Sequence, residues 1–140
     1  MKRLLLVMLL VLVSRPAVAE WIVLDSPYQT PGLWTVYVDP ASISPDGQLV
    51  TLWELRDYRS GQGGLVGRRF LSATSQKQFD CPSQRYRLLT YTDFAGPMGT
   101  GHFEIGAVDP NAWHVIEPES INHTLWEVAC KTPLITRPKQ

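Results

Sequence analysis

The sequence predicts an α+β domain: a six-stranded antiparallel meander with one C-terminal α-helix packed on it and stapled to it by a disulfide. Three observations carry that expectation. Short aromatic and β-branched runs alternate with a period of two between turn signals. One stretch near the end, Ile121 to Lys131, places its apolar residues at helical spacing instead. The two cysteines, Cys81 and Cys130, fall at the end of a strand candidate and near the end of that helix.

The first residues stand apart from the domain. Met1-Lys2-Arg3 precedes an apolar run of ten residues, Leu4 to Val13. Crossing a bilayer takes about 20 helical residues, so this run is too short to span. With Ala17-x-Ala19 ahead of Glu20 it reads as a signal peptide, residues 1–19, cleaved after Ala19. Cleavage leaves 121 residues with 10 basic and 13 acidic groups, a formal charge of −3, and no transmembrane segment. No cysteine precedes Cys81, so no lipobox is expected. The expectation is a protein exported to the periplasm or secreted, with a domain over 20–132 and a flexible tail over 133–140 that holds Pro133 and Pro138. A cytosolic nucleotide enzyme and an integral membrane protein are excluded by that reading.

The strands follow in order. Trp21-Ile22-Val23-Leu24 opens the domain and stops at Asp25-Ser26-Pro27. Leu33 to Asp39 sets Trp34, Val36 and Val38 against Thr35 and Tyr37, and Asp39-Pro40 ends it because proline cannot donate to a ladder. Pro45-Asp46-Gly47 is a turn. Leu49 to Tyr58 places Leu49, Thr51, Trp53 and Leu55 on one face and Glu54 and Arg56 on the other. Ser60 to Gly64 is a loop. Arg69 to Cys81 is a long and unusually polar run, expected as an edge or two-sided strand. Pro82-Ser83-Gln84 turns the chain into Arg85 to Phe94, which sets Tyr86 and Leu88 opposite Arg87, Leu89 and Tyr91. Gly96 to Gly101 is a loop, and His102 to Val108 the sixth strand.

Ser120 suits a helix N-cap, its hydroxyl accepting from the free amides of the first turn. Ile121, Leu125, Val128 and Ala129 then form an apolar stripe with Trp126 on its flank. A helix this short is marginal alone, so packing and a crosslink must hold it. In an oxidising compartment Cys81 and Cys130 are expected to pair. The alternative, a reactive thiol pair, lacks a C-x-x-C spacing and a neighbouring histidine.

No catalytic constellation is present, and a non-enzyme is expected. His102, His114 and His123 share no metal-ligand spacing, so no metal or other cofactor is expected. There is no G-x-S-x-G, and neither glycine-rich loop matches a phosphate cradle or a dinucleotide turn. Charge segregation says more. Residues 20–55 carry −5, residues 56–87 carry +5, and residues 88–140 carry −3. The central excess comes from Arg56, Arg59, Arg68, Arg69, Lys77, Arg85 and Arg87. Arg85 and Arg87 lie two apart and so share a face of their strand. Arg56, Arg68, Arg69, Arg85 and Arg87 are therefore candidate binding residues, because guanidinium forks grip carboxylate, phosphate and sulfate. The alternative is that they only solvate an outer sheet face. The five tryptophans are expected in the core rather than in a ligand site.

An ordered series of landmarks makes the chain familiar. It runs Tyr37-Val38-Asp39-Pro40-Ala41-Ser42-Ile43, Asp46-Gly47, then Val50 through Tyr58, and Phe79-Asp80-Cys81. It continues with Arg85-Tyr86-Arg87, Gly96-Pro97-Met98-Gly99-Thr100-Gly101, Trp113, Ser120, and Leu125-Trp126 through Cys130. This series resembles the surface-adhesin protein E family of Gram-negative bacteria. The resemblance implies a six-stranded antiparallel sheet with a C-terminal helix, the Cys81–Cys130 link, and adhesion to host matrix and plasma proteins such as laminin, vitronectin and plasminogen. It also implies a capacity to form a homodimer. The landmarks are turn prolines, tryptophans and cysteines, which carry a fold from one protein to another more readily than a ligand. Two functions are thus expected: an exported adhesin-like protein that binds a host protein or another anionic partner, or a soluble periplasmic accessory or inhibitor of an envelope protein. No nucleic-acid partner is expected in either case.

Overall fold

The computed structural model describes residues 19–63 and 69–131. The leader before Ala19, Arg68 and the tail over 133–140 lie outside the described residues. Among the described residues eight strands form one sheet: β1 Ile22–Val23, β2 Trp34–Val38, β3 Ser44–Asp46, β4 Leu49–Gly63, β5 Arg69–Asp80, β6 Arg85–Phe94, β7 Phe103–Ile105 and β8 His114–Val115. Six of them, in the order β1-β2-β4-β5-β6-β7, make the expected antiparallel path. The other two are short additions, β3 pairing with β4 and β8 with β6. One helix, α1 Ile121–Lys131, closes the domain.

The turns that shape the path use the residues their geometry demands. After β2 the Asp39 carboxylate accepts from the Ala41 amide across Pro40, and Ser42 Oγ accepts from Trp53 N at 2.9 Å, docking the turn on β4. Gly47, at φ +59°, joins β3 to β4 in a conformation that side chains avoid. The loop after β6 folds back on the sheet: Met98 N donates to Asp57 Oδ1 and Gly99 N to Ser72 Oγ, both at 2.8 Å. That loop seals Leu55 and Ser72, neither of which has any exposure.

The helix takes the other side of the sheet. Its Ser120 cap receives His123 N at 3.2 Å, as the sequence suggested. Ile121, Leu125, Trp126 and Ala129 are buried against Leu24, Val36, Val38, Val50, Leu52 and Phe79. Trp126 is thus part of the buried stripe rather than its flank, and its indole donates to Cys81 O at 3.2 Å. The helix therefore lies on the face of β4 that carries Val50, Leu52, Glu54 and Arg56, not on the face of Leu49, Thr51, Trp53 and Leu55. The disulfide between Cys81 and Cys130 is formed, with the Cα atoms 5.7 Å apart.

Of the two expectations for β5, an edge or a two-sided strand, the structure has the second: the strand is central. It pairs with β4 on one side and β6 on the other, and most of its residues are buried. Its polarity has another cause: Ser72, Lys77, Gln78 and Asp80 make hydrogen bonds or ion pairs inside the domain. β6 also departs from simple alternation. A bulge opposite Gln76/Lys77 turns Tyr91 to the same face as Leu88, because Leu88 pairs with Lys77 while Tyr91 pairs with Ser75.

Candidate functional site

The helix covers only part of the face it packs on. Reading across the strands, one row is Leu52, Lys77 and Leu88, the next Val38, Glu54, Ser75 and Tyr91, and the next Val36, Arg56, Ala73 and Asp93. Val36, Val38 and Leu52 lie in the apolar core. Beside it the same face becomes a recess of about 210 Å³ lined by Glu54, Arg56, Tyr58, Ala73, Ser75, Lys77, Tyr86, Leu88, Tyr91 and His114. The change from Val50-x-Leu52 to Glu54-x-Arg56-x-Tyr58 on alternate residues of one strand marks where core ends and recess begins.

At its floor lies a buried ion pair. Glu54 and Lys77 are 3% and 6% exposed, and Lys77 Nζ binds Glu54 Oε1 directly. The same ammonium donates to Asn122 Oδ1 at 2.8 Å, tying the first turn of α1 to the sheet. Burial pulls Lys77 below its ordinary 10.5, and the Glu54 charge pushes partly back. Glu54 Oε2 has no hydrogen-bond partner among the described residues. Tyr86 stands over the ammonium, 5.3 Å from it to the ring centroid, and bonds Asn122 through its hydroxyl.

Arg56 lines the recess. Its guanidinium stacks on Trp34, 4.7 Å from the ring centroid, and makes no hydrogen bond or ion pair with a side chain among the described residues. Its charge is felt at Lys77, Tyr86 and Tyr91, which places it among them. Tyr91 is pushed far above 10, first by burial and then by the hydrogen bond of its hydroxyl to Asp93. Tyr86 is raised too, first by burial and then by the Glu54 charge.

Arg85 and Arg87 do share a face, and it is the opposite one, pairing across the sheet with Asp80 and Gln78. They sandwich Trp113, their guanidinium carbons 4.4 and 4.6 Å from its ring centroid. Arg85 Nε also donates to Asp80 Oδ2 at 3.0 Å, while Arg87 donates to Gln78 Oε1 and Pro110 O. The structure thus separates the candidates. Arg56 stands alone in the recess, Arg85 and Arg87 clamp an indole behind the sheet, and Arg69 is exposed at the start of β5. Arg68 is outside the described residues. Among the described residues no group of His, Cys, Asp and Glu is arranged to hold a metal. No described helix is long and apolar enough to cross a membrane.

Comparison with known proteins agrees with this architecture. The sequence model for surface-adhesin protein E matches residues 21–131. The chain belongs to the surface-adhesin protein E family. Its fold is shared by solved structures of Haemophilus influenzae protein E. A second crystal form of that protein aligns at TM-score 0.59 and 15% identity, covering 79% of this chain and 96% of that one. Another structure of it aligns at TM-score 0.57 and 15% identity over 79% and 93%. Protein E from a non-typeable strain aligns at TM-score 0.55 and 14% identity over 80% and 84%. No curated protein matches by sequence. This adhesin-family chain is therefore adhesin-like and of the exported or surface type, and membership favours binding over catalysis.

In this family member the sequence pointed to Arg56 but not to its surroundings. Glu54, Lys77, Tyr86, Tyr91 and Asn122 come from three strands and the helix, and the bulge in β6 hides the face of Tyr91. One signal was available: a lysine inside a long strand flanked by others needs a buried partner, and the neighbouring strand offers Glu54 and Asp57.

Proposed function

We propose that this chain is an exported, non-enzymatic adhesin-like protein that binds a host matrix or plasma protein, or another partner presenting anionic groups. The match of the adhesin family over residues 21–131 carries this reading. Supporting it, the disulfide is of the kind that persists in oxidising compartments, consistent with cleavage of residues 1–19 during export. The arginines offer two points of contact, Arg56 on the helix side and the Arg85–Trp113–Arg87 stack on the other, where the Arg85 side chain is 43% exposed.

Binding to immobilised laminin, vitronectin and plasminogen tests it. Neutralising the stack with R85Q/R87Q should weaken capture and flatten its salt dependence, because fewer counterions are exchanged on contact. Neutralisation is the better variant here, since a glutamate at 85 would face the buried Asp80 carboxylate. Protease treatment of intact cells is the companion measurement. Digestion would place the protein at the surface. Protection until the outer membrane is opened would sink adhesion and leave a periplasmic accessory role.

A further inference from the structure

We propose that the recess beside the helix is a binding pocket for a carboxylate, held by the Arg56 guanidinium. The inference deepens the reading above, since it rests on the chain being a binding protein and names what one of its sites takes. Four observations meet there. The Arg56 fork is pre-positioned, because its face lies on Trp34 and its N–H edges are left without a partner among the described residues. A planar fork with five N–H donors matches two carboxylate oxygens better than any other common group.

The charges around it are accounted for. Glu54 is neutralised by Lys77, and the Asp93 carboxylate, two strands from Arg56 across Ala73, takes the Tyr91 hydroxyl and forms no ion pair with Arg56. Of the acidic and basic side chains that line the recess, Glu54 and Lys77 pair with each other and Arg56 pairs with none among the described residues. With the Glu54–Lys77 pair formed, a cationic ligand would meet the Arg56 charge, whereas an anion meets that guanidinium and the Ser75 hydroxyl. Partial burial strengthens such a bond relative to one formed in open water.

Size and walls limit the ligand. About 210 Å³ is roughly seven waters' worth of liquid volume, enough to seat one residue-sized group. Tyr58, Tyr86 and Leu88 supply an apolar wall for the carbons that carry the acid. The group is then either the acidic residue of a polypeptide or a free small acid.

The test uses the purified protein and no host protein, so that it stands or falls apart from adhesion. Cross-peaks of the Trp34 indole and the Arg56 guanidinium are followed by nitrogen-15 NMR during titration with N-acetylglutamate amide, N-acetylglutamine amide, acetate and sulfate. The expected result is a saturable shift with the glutamate compound and none with the glutamine compound. R56Q should abolish it, and R56K should weaken it roughly tenfold, because lysine keeps charge but loses the fork. S75A keeps Arg56, removes one hydroxyl of the recess, and should weaken binding roughly two- to tenfold. That variant decides the matter if R56Q proves unfolded by its thermal melt. Acetate binding as tightly as the glutamate compound would assign the pocket to a free acid, and tighter binding of the glutamate compound to a polypeptide. No saturable shift, a shift that survives R56Q, or an equal response to sulfate would overturn the proposal.

Discussion

Lys77→Met is the most informative perturbation of the fold. It removes the one cation that pairs with Glu54, whose side chain is almost wholly buried and whose Oε2 already lacks a partner. A buried carboxylate stripped of its counter-ion costs about 3–5 kcal/mol, because neither water nor protein then solvates it. Asn122 Oδ1 loses a donor at the same time, loosening the first turn of α1. With a slope near 1.5 kcal/mol per molar urea, the unfolding midpoint should fall by roughly 2–3 M. Glu54→Leu alone should be milder. There Lys77 keeps Asn122, and its pKa, already lowered by burial, lets it shed the proton. The sign follows: between that lowered value and 10.5 the unfolded chain holds more protons than the fold, so E54L should gain stability as pH rises through this window. The double variant E54L/K77M leaves no buried charge and should recover most of the loss, a coupling of at least about 2 kcal/mol. Urea unfolding of the four proteins measures it. Coupling within about 0.5 kcal/mol, or a K77M loss below about 1 kcal/mol, would refute the claim that the pair is desolvated.

Other perturbations follow from the same structure. Replacing both cysteines by serine should cost about 4 kcal/mol by the loop-closure argument for a separation of 49 residues, read as a drop in urea midpoint against the oxidised protein. G96A should destabilise, because its Cβ would lie 2.9 Å from Thr100 O, a backbone atom that cannot swing away; Gly32→Ala, with open space around it, is the control in a melting experiment. Phenolate absorbance should show Tyr86 and Tyr91 ionising only above the ordinary 10. Their contribution is complete below pH 10 and is lost as pH climbs through the raised folded values, so stability should fall with pH there, less steeply in Y91F.

What the sequence by itself determined is local. Period-two runs, proline and glycine turns, a serine cap and an i, i+4 apolar stripe located the six main strands and the helix, since each depends on residues a few positions apart. Export chemistry was enough to pair Cys81 with Cys130, and the ordered landmarks were enough to suggest the family. The tertiary structure decided what depends on distant residues. Strand order made polar β5 the centre of the sheet, because its side chains find partners on β4, β6, the loop after β6 and the helix rather than meeting solvent. One bulged residue in β6 moved Tyr91 across the sheet, a change alternation cannot foresee because a single insertion inverts every later side chain. The length of α1 decided how much of its face is core and how much is recess. That division left Arg56 open on Trp34, while on the opposite face Arg85 and Arg87 close on Trp113 and stay partly exposed. Arg56 on one side and Arg85 with Arg87 on the other became separate sites because successive residues of a strand point to opposite sides of a sheet.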